Sequence, residues 1–330
     1  MLSVQDFSKK QILFLFSNKG EKLAYKNDNI IVLDENKKIK HQSTCYRLFA
    51  IFVFGNTTIT TGLIQRARKF GFSIVLFSTS FRVYQVISSV GEANSLLKQK
   101  QFTEFNNNLV FAQKLIENKI VNQRSLLNNQ RYKSDYCKTA INKLNEYKSK
   151  LSSTKNIHEI MGYEGLASKL YFQSHFNNIL WQGRKPRIKN DMVNCLLDIG
   201  YTILFNYIEA LLTIFGFDCY KGFLHTQFYM RKSLVCDIVE PFRPLIDNQV
   251  KKGMNLNQFK EKDFEIINNK WCLKWKESPK YISILIQPIL QNKEEIFLYI
   301  RSFYRTVMKN TLEQSFPMFL MGKENDYSKL

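Results

Sequence analysis

The sequence predicts an α+β chain in which a small N-terminal β-rich domain, residues 1–87, precedes a larger all-α C-terminal domain, residues 98–330. Three observations carry that reading. Up to Tyr84 the apolar residues come in short β-branched and aromatic clusters; SSVGEANS from Ser88 is small and polar; beyond it, helical periodicity persists to the end. Residues 88–97 are the expected linker.

Four clusters, ILFLF, NIIVL, YRLFAIFVF and FSIVLF, are separated by the turn-like KGEK, KNDN and DENKK, as strands of a small sheet would be. The first of them follows MLSVQDFSKK, where Asp6 and Lys9 precede a very short apolar run, so the segment reads as a strand and not a secretory signal. Between the third and fourth lies GNTTITTGLIQRARKFG. There Thr60 or Thr61 caps a helix whose Leu63, Ile64 and Ala67 face inward, and Gly71 closes it. In the C-terminal part, Phe102, Phe105, Leu109, Ala112, Leu115, Ile116 and Ile120 fall on one helical stripe. The most apolar span, YTILFNYIEALLTIFGF, is interrupted by Asn206 and Glu209 and falls short of the about 20 clean residues a membrane crossing needs. It reads as a buried helix.

The chain carries 48 Lys and Arg against 28 Asp and Glu, a formal charge of +20. So positive a surface calls for a polyanion, and nucleic acid is the favoured partner, although a Lys/Asn-rich composition also gives charge that serves only solvation. No basic helix has a clean apolar face, so membrane binding is not expected. Six scattered cysteines without a C-x-x-C pair read as reduced thiols in a cytoplasm. No Gly-rich phosphate loop supports ATP or dinucleotide chemistry.

Acids are unexpected in GFLHTQFYMRKSLVCDIVEPFRPLID, from Gly222 to Asp247. On a helix, Asp237 and Glu240 at i and i+3 project from nearly one face, about 5–6 Å apart at Cβ, where like charges repel unless a cation sits between them. Pro241 and Pro244 predict a kink or a helix start near Glu240. His225 lies on a glycine-led loop that can reach the same spot, and nitrogen with carboxylate oxygens suits Mn²⁺ or Mg²⁺. Spacing alone leaves open, and favours, a plainer reading: a solvated helix face paired with Arg231 or Lys232, and a core histidine.

Resemblance changes that balance. GFLHT, SLVCDIVEPFRPLID and MGYEGLASKLYF (161–172), with GNTTITTGLI, KIVNQRSLL at Lys119 and RKPRIKNDMVNCLLDIGY from Arg184, resemble the first-numbered Cas family, the endonuclease and integrase of CRISPR spacer acquisition. The likeness covers nearly the whole chain. It implies metal ligands at Glu164, His225 and Glu240, with Asp237 as the additional acid of the last motif and Mn²⁺ or Mg²⁺ as cofactor. KNDMVN stands where many members carry a proline-rich stretch, and MRKS replaces the common G-R-x-S turn.

The implied reaction inserts captured DNA fragments into a CRISPR array: a fragment 3′-hydroxyl attacks a phosphodiester at the repeat boundary, a transesterification without ATP. Arg184, Lys185, Arg187, Lys189, Arg231, Lys232 and Arg243 are candidates to track the double-stranded DNA backbone, against ordinary surface charge for any one of them. The resemblance also implies a homodimer through the β domain and a small ferredoxin-like second-numbered Cas protein bridging two dimers into a heterohexamer. The alternative is a non-catalytic basic DNA-binding scaffold.

Overall fold

Residues 9–17, 20–79, 83–87, 94–106, 108–179, 181, 183–225, 228–309 and 316–322 are described by the computed structural model. The N-terminal region holds seven strands: β1 (Gln11–Phe16), β2 (Lys22–Lys26), β3 (Asn29–Leu33), β4 (Ile39–Thr44), β5 (Leu48–Phe54), β6 (Ser73–Phe77) and β7 (Val83–Ile87). Helix α1 (Thr61–Phe70) joins β5 to β6. They form a four-stranded sheet in the order β1-β5-β6-β7 and a three-stranded meander β2-β3-β4. In the larger sheet β1, β5 and β6 run parallel and β7 antiparallel to β6.

The expected cap and stop of α1 are both present. Thr60 accepts a hydrogen bond from the Leu63 amide, and Gly71 ends the helix at φ 74°, a left-handed conformation that favours glycine. Strand β5 is buried on both faces, and its period of two divides the core. Ala50, Phe52 and Phe54 join the core of the helical region, while Ile51 and Val53 pack with Leu13, Ile30, Leu63 and Ala67 beneath α1 and the meander.

The helical region comprises α2 (Ser95–Glu104), α3 (Leu109–Asn128), α4 (Asp135–Lys150), α5 (Ile157–His175), α6 (Met192–Phe215), α7 (Ser233–Ile238), α8 (Arg243–Asn255), α9 (Ser278–Leu285), α10 (Gln287–Gln291) and α11 (Lys293–Lys309). Of the expected linker, residues 88–93 lie outside the described residues; Asn94 already caps α2 through the Leu97 amide. The apolar stripe from Phe102 to Ile120 is two helices, not one, because Asn108 caps α3 and leaves Phe102 46% exposed. A hairpin, β8 (Phe264–Ile267) with β9 (Lys270–Leu273), interrupts the expected all-α region; Asn268 and Asn269 make its turn at φ 51° and 59°.

Helix α6 is long and apolar enough to cross a membrane by composition, yet 83% of its most apolar window is buried inside the protein. Asp191 caps it through the Asn194 amide. All six cysteines are unpaired, and four are buried.

Candidate active site

The site begins on α3 with a run of polar residues that solvent does not reach. Asn118, Lys119, Asn122 and Gln123, at i, i+1, i+4 and i+5, all lie on the buried side of the helix. Buried polar groups need partners, and Asn118, Lys119 and Asn122 have them, while Gln123 bonds Ser168 through Nε2 and leaves its Oε1 unpartnered among the described residues. Asn118 and Asn122 donate to the Phe319 carbonyl at 2.6 and 2.9 Å and accept from the Phe319 and Met321 amides, so they strap the segment 316–322 onto the helix. Asn122 also donates to the Pro241 carbonyl at 2.9 Å, next to Glu240.

Lys119 lies between two acids. Its ammonium donates to Glu164 Oε1 of α5 and sits 2.7 Å from Glu240 Oε2. Burial alone lowers its pKa; Glu164 and Glu240 more than offset that and raise it above the ordinary value, so the group remains a cation. Ser168, one turn along α5, donates to the same Glu164 oxygen at 2.9 Å. A Cβ added at Gly162 or Gly165 would meet nothing within 4 Å, so α5 is uncovered on both sides of Glu164.

Glu240 opens a 3₁₀ turn, Glu240–Phe242, between α7 and α8, which is the break that the prolines predict. Its carboxylate also faces Arg243 Nε at 3.1 Å from Oε1. Burial pushes the carboxyl up, but Arg243, Lys119 and His225 outweigh it, and the group titrates at about 2 instead of 4.5.

Asp237 points elsewhere. Completely buried, it accepts from the backbone amides of Phe223, Leu224 and His225 at 2.7, 3.1 and 3.0 Å, and from the His225 ring at Nδ1, 2.7 Å away. It therefore folds the GFLH loop around itself. The loop needs Gly222 for this: a Cβ there would lie 2.6 Å from Asp237 Oδ2 and 2.8 Å from the Ser233 backbone carbon. With Nδ1 donating to a carboxylate, the ring is set with Nε2 as its free lone pair. The expectation that Asp237 and Glu240 share a face and a cation thus gives way to divided labour, because the 3₁₀ break and four donors turn Asp237 towards the loop. The solvated-face alternative falls with it, since both carboxylates are buried.

Among the described residues no three His, Cys, Asp or Glu side chains form a preformed metal cage. The donor chemistry nevertheless fits a divalent ion. Two carboxylates already converge on one cation, and no donor is aligned as a hydrogen bond on buried Glu240 Oε2. His225 is near enough to lower the Glu240 carboxyl. Mixed oxygen and nitrogen donors suit Mn²⁺ and Mg²⁺.

The family model for CRISPR associated protein Cas1 matches residues 14–285. The chain belongs to the Cas1 family. It is 28% identical over 261 residues to CRISPR-associated endonuclease Cas1 1 of Francisella tularensis subsp. novicida, covering 76% of this chain and 80% of that one. Against CRISPR-associated endonuclease Cas1 of Leptospira interrogans it is 34% identical over 170 residues, 47% of this chain and 66% of that one. Among solved structures, a Cas1 protein from Thermotoga maritima superposes with a TM-score of 0.76 at 19% identity, over 96% of this chain and all of that one. A casposase bound to integration product gives 0.78 at 19%, over 96% and 97%. The Cas6-RT-Cas1–Cas2 complex gives 0.78 at 23% over 96% of this chain, which spans about a third of that composite chain, 36%. At these identities the superpositions show the Cas1 fold.

Several basic residues expected on DNA have partners within this Cas1 fold. Arg184 pairs with Asp198 and donates to Asn194 at 3.0 Å, with its guanidinium over the Tyr201 ring. Arg243 shares that ring and holds Glu240; Lys232 pairs with Glu209. Arg231 lies beside Cys236, lowering its thiol against the larger upward push of burial. Arg187 is exposed in a left-handed backbone conformation, φ 66°, with its amide on Asp198 Oδ2. The residues that sequence reasoning missed are Lys119, Asn118, Asn122, Ser168 and the Phe319 strap. Their signal is faint: the polar pairs N-K and N-Q, four apart, in ENKIVNQ.

Proposed function

We propose that the chain is a divalent-metal-dependent DNA endonuclease and integrase that inserts captured DNA fragments into a CRISPR array. The observation that carries this reading is the convergence of Glu164 and Glu240 on a single cation in a chain of net charge +20. Negative charge at the centre of a positive surface is what a phosphoryl-transfer site requires.

Glu164, Glu240 and His225 Nε2 would hold the ion. Bound there, Mn²⁺ or Mg²⁺ supplies Lewis acidity at the phosphoryl oxygen and stabilises the displaced 3′-oxygen. The chain's own residues do the rest. Asp237 keeps the His225 tautomer and ring orientation, and Arg243 holds Glu240 ionised. The bare flank of α5 at Gly162 and Gly165 lets a duplex approach Glu164 closely, while exposed basic side chains such as Arg187 position its phosphates. The bond from the attacking 3′-oxygen to phosphorus forms as the bond to the displaced 3′-oxygen breaks; one proton passes from attacker to leaving group, and one diester replaces another.

Partners follow the same reading. The superposed Cas1–Cas2 complexes support a Cas2 partner, with two Cas1 homodimers bridged into a heterohexamer in the cytoplasm. Exposed Ile39, Tyr46 and Tyr84 support self-association through the β region. A second reading, a DNA-binding scaffold whose acids only neutralise Lys119, is favoured by that ion pair.

Strand transfer of a labelled fragment into a supercoiled repeat-containing plasmid, with Mn²⁺ or EDTA and with or without Cas2, separates the two. Joined product that needs Mn²⁺ and vanishes in Glu164→Gln supports the integrase. DNA binding with no joined product under any condition establishes the scaffold.

A further inference from the structure

We infer that Lys119 is a resident stand-in cation: its ammonium holds Glu164 and Glu240 converged, and a divalent ion enters the site only by displacing it. The inference rests on the metal reading above and deepens it, making metal loading an exchange of one cation for another instead of the filling of a gap.

Three observations place the exchange at Lys119. Its ammonium touches one oxygen from each acid, Glu164 Oε1 and Glu240 Oε2, the two side chains assigned to the ion. It does so from a buried position, its side chain 8% exposed, where the two carboxylates without it would repel, Arg243 pairing only with Glu240. Its backbone is pinned: Asn118 and Asn122, on either side along α3, are fastened to Phe319, and Asn122 also to Pro241. The helix therefore does not retreat to make room. The ammonium leaves by rotation of its own flexible four-carbon stem, while Arg243 stays on Glu240 Oε1.

Two competing cations and one pair of carboxylates fix the signs. Without Lys119 the metal-free protein is destabilised, because Glu164 and buried Glu240 face each other with Arg243 paired only to Glu240, and the divalent ion binds more tightly, because nothing must be displaced. A lysine that were only a structural strut would behave oppositely: its loss would loosen the acids and weaken the ion's hold.

The test is Mn²⁺ binding to the purified full chain, read from the free-ion electron paramagnetic resonance signal, together with melting in EDTA and in Mn²⁺. Lys119→Met keeps the stem and removes the charge. It is expected to melt lower than wild type in EDTA, to regain that loss in Mn²⁺, and to bind Mn²⁺ at least about tenfold more tightly. Lys119→Arg retains a cation and is expected to return both readings towards wild type. Unchanged or weaker Mn²⁺ binding in folded Lys119→Met overturns the inference and leaves the metal reading standing. If the wild type takes up no more Mn²⁺ than Glu164→Gln, the metal reading itself falls, and the inference with it. Should Lys119→Met fail to fold, amine labelling of wild-type Lys119 by mass spectrometry decides: labelling that rises with Mn²⁺ supports displacement, and labelling that does not rise overturns it.

Discussion

Helices α3 and α6 are both buried, and they use burial for different ends. Along α6 the interior positions are mostly apolar, Leu196, Leu197, Ile203, Leu204, Ile208, Leu211 and Leu212 among them, with Asn194, Asn206 and Glu209 as polar exceptions. Along α3, Leu115 and Ile116 give way within one turn to Asn118, Lys119, Asn122 and Gln123. The first helix holds the fold together. The second spends folding stability on polar groups that need partners, and two of those partners are Glu164, which pairs with Lys119, and the Pro241 carbonyl next to Glu240, which holds Asn122. Mostly apolar burial marks the frame; four polar residues buried within two turns mark the site.

The sharpest way to break that contrast is at the acids themselves. Glu240→Gln is expected to reduce strand transfer by at least about a thousandfold, since several kcal/mol of charge stabilisation are lost at about 1.4 kcal/mol per decade. DNA affinity, measured by filter binding, should stay near wild type. A loss of affinity in step with activity would make Glu240 a DNA contact and not a ligand.

Next in size is the frame. Leu204→Ala in α6 is expected to cost about 2–5 kcal/mol in denaturant unfolding, the range for a large-to-small change in a close-packed core. The folded fraction should still bind Mn²⁺ with unchanged affinity. A shift in that affinity would mean that the two helices are not separable in function.

Asp237→Asn lies between the two classes. The amide keeps the shape but cannot accept all four hydrogen bonds as a carboxylate does, so the His225 ring loses its fixed tautomer. A fall of about 10–100-fold in metal affinity is expected, the usual effect of a lost partner behind a ligand. Equal affinity in mutant and wild type would remove His225 from the set.

The smallest effect concerns a buried acid outside the site. Asp247 is held by Tyr171 and Tyr201 at the junction of α5, α6 and α8, and burial pushes its carboxyl up to about 6 despite those hydrogen bonds. Its folded value lies above the unfolded 3.8, so between them the folded protein carries the extra proton. Stability therefore falls as pH rises from about 4 to 6. Asp247→Asn should flatten that part of a melting-temperature profile without moving the Mn²⁺ titration.

The legibility of these regions follows from how local their physics is. Thr60 and Gly71 were readable because caps act within one turn of chain, and the division into a β region and a helical region followed from two short periods. The GFLH loop and the Glu240 break were readable for the same reason: glycine and proline write their constraints locally. Lys119 was not. In KIVNQ a lysine looks solvated, and only the packing of α3 against α5 and the Pro241 turn converts it into a buried cation. Asp237 misled in the reverse direction, because an i, i+3 spacing gives proximity along a helix but not which way a side chain turns when four donors wait on the other side. The β8–β9 hairpin escaped because four-residue strands around Asn268 and Asn269 are shorter than the helical periodicity that surrounds them.

The strap over α3 also sets a clock. Asn118 and Asn122 receive Phe319 from 201 and 197 residues further along the chain, and a ribosome adding about 5–20 residues per second takes about 10–40 s to cover that distance. Throughout that interval the polar face beside Lys119 has been made but its fastening to Phe319 has not, although Pro241, the other partner of Asn122, is added earlier. A growing chain thus carries both acids and the histidine before Phe319 arrives to complete the fastening of the helix that presents the lysine between them.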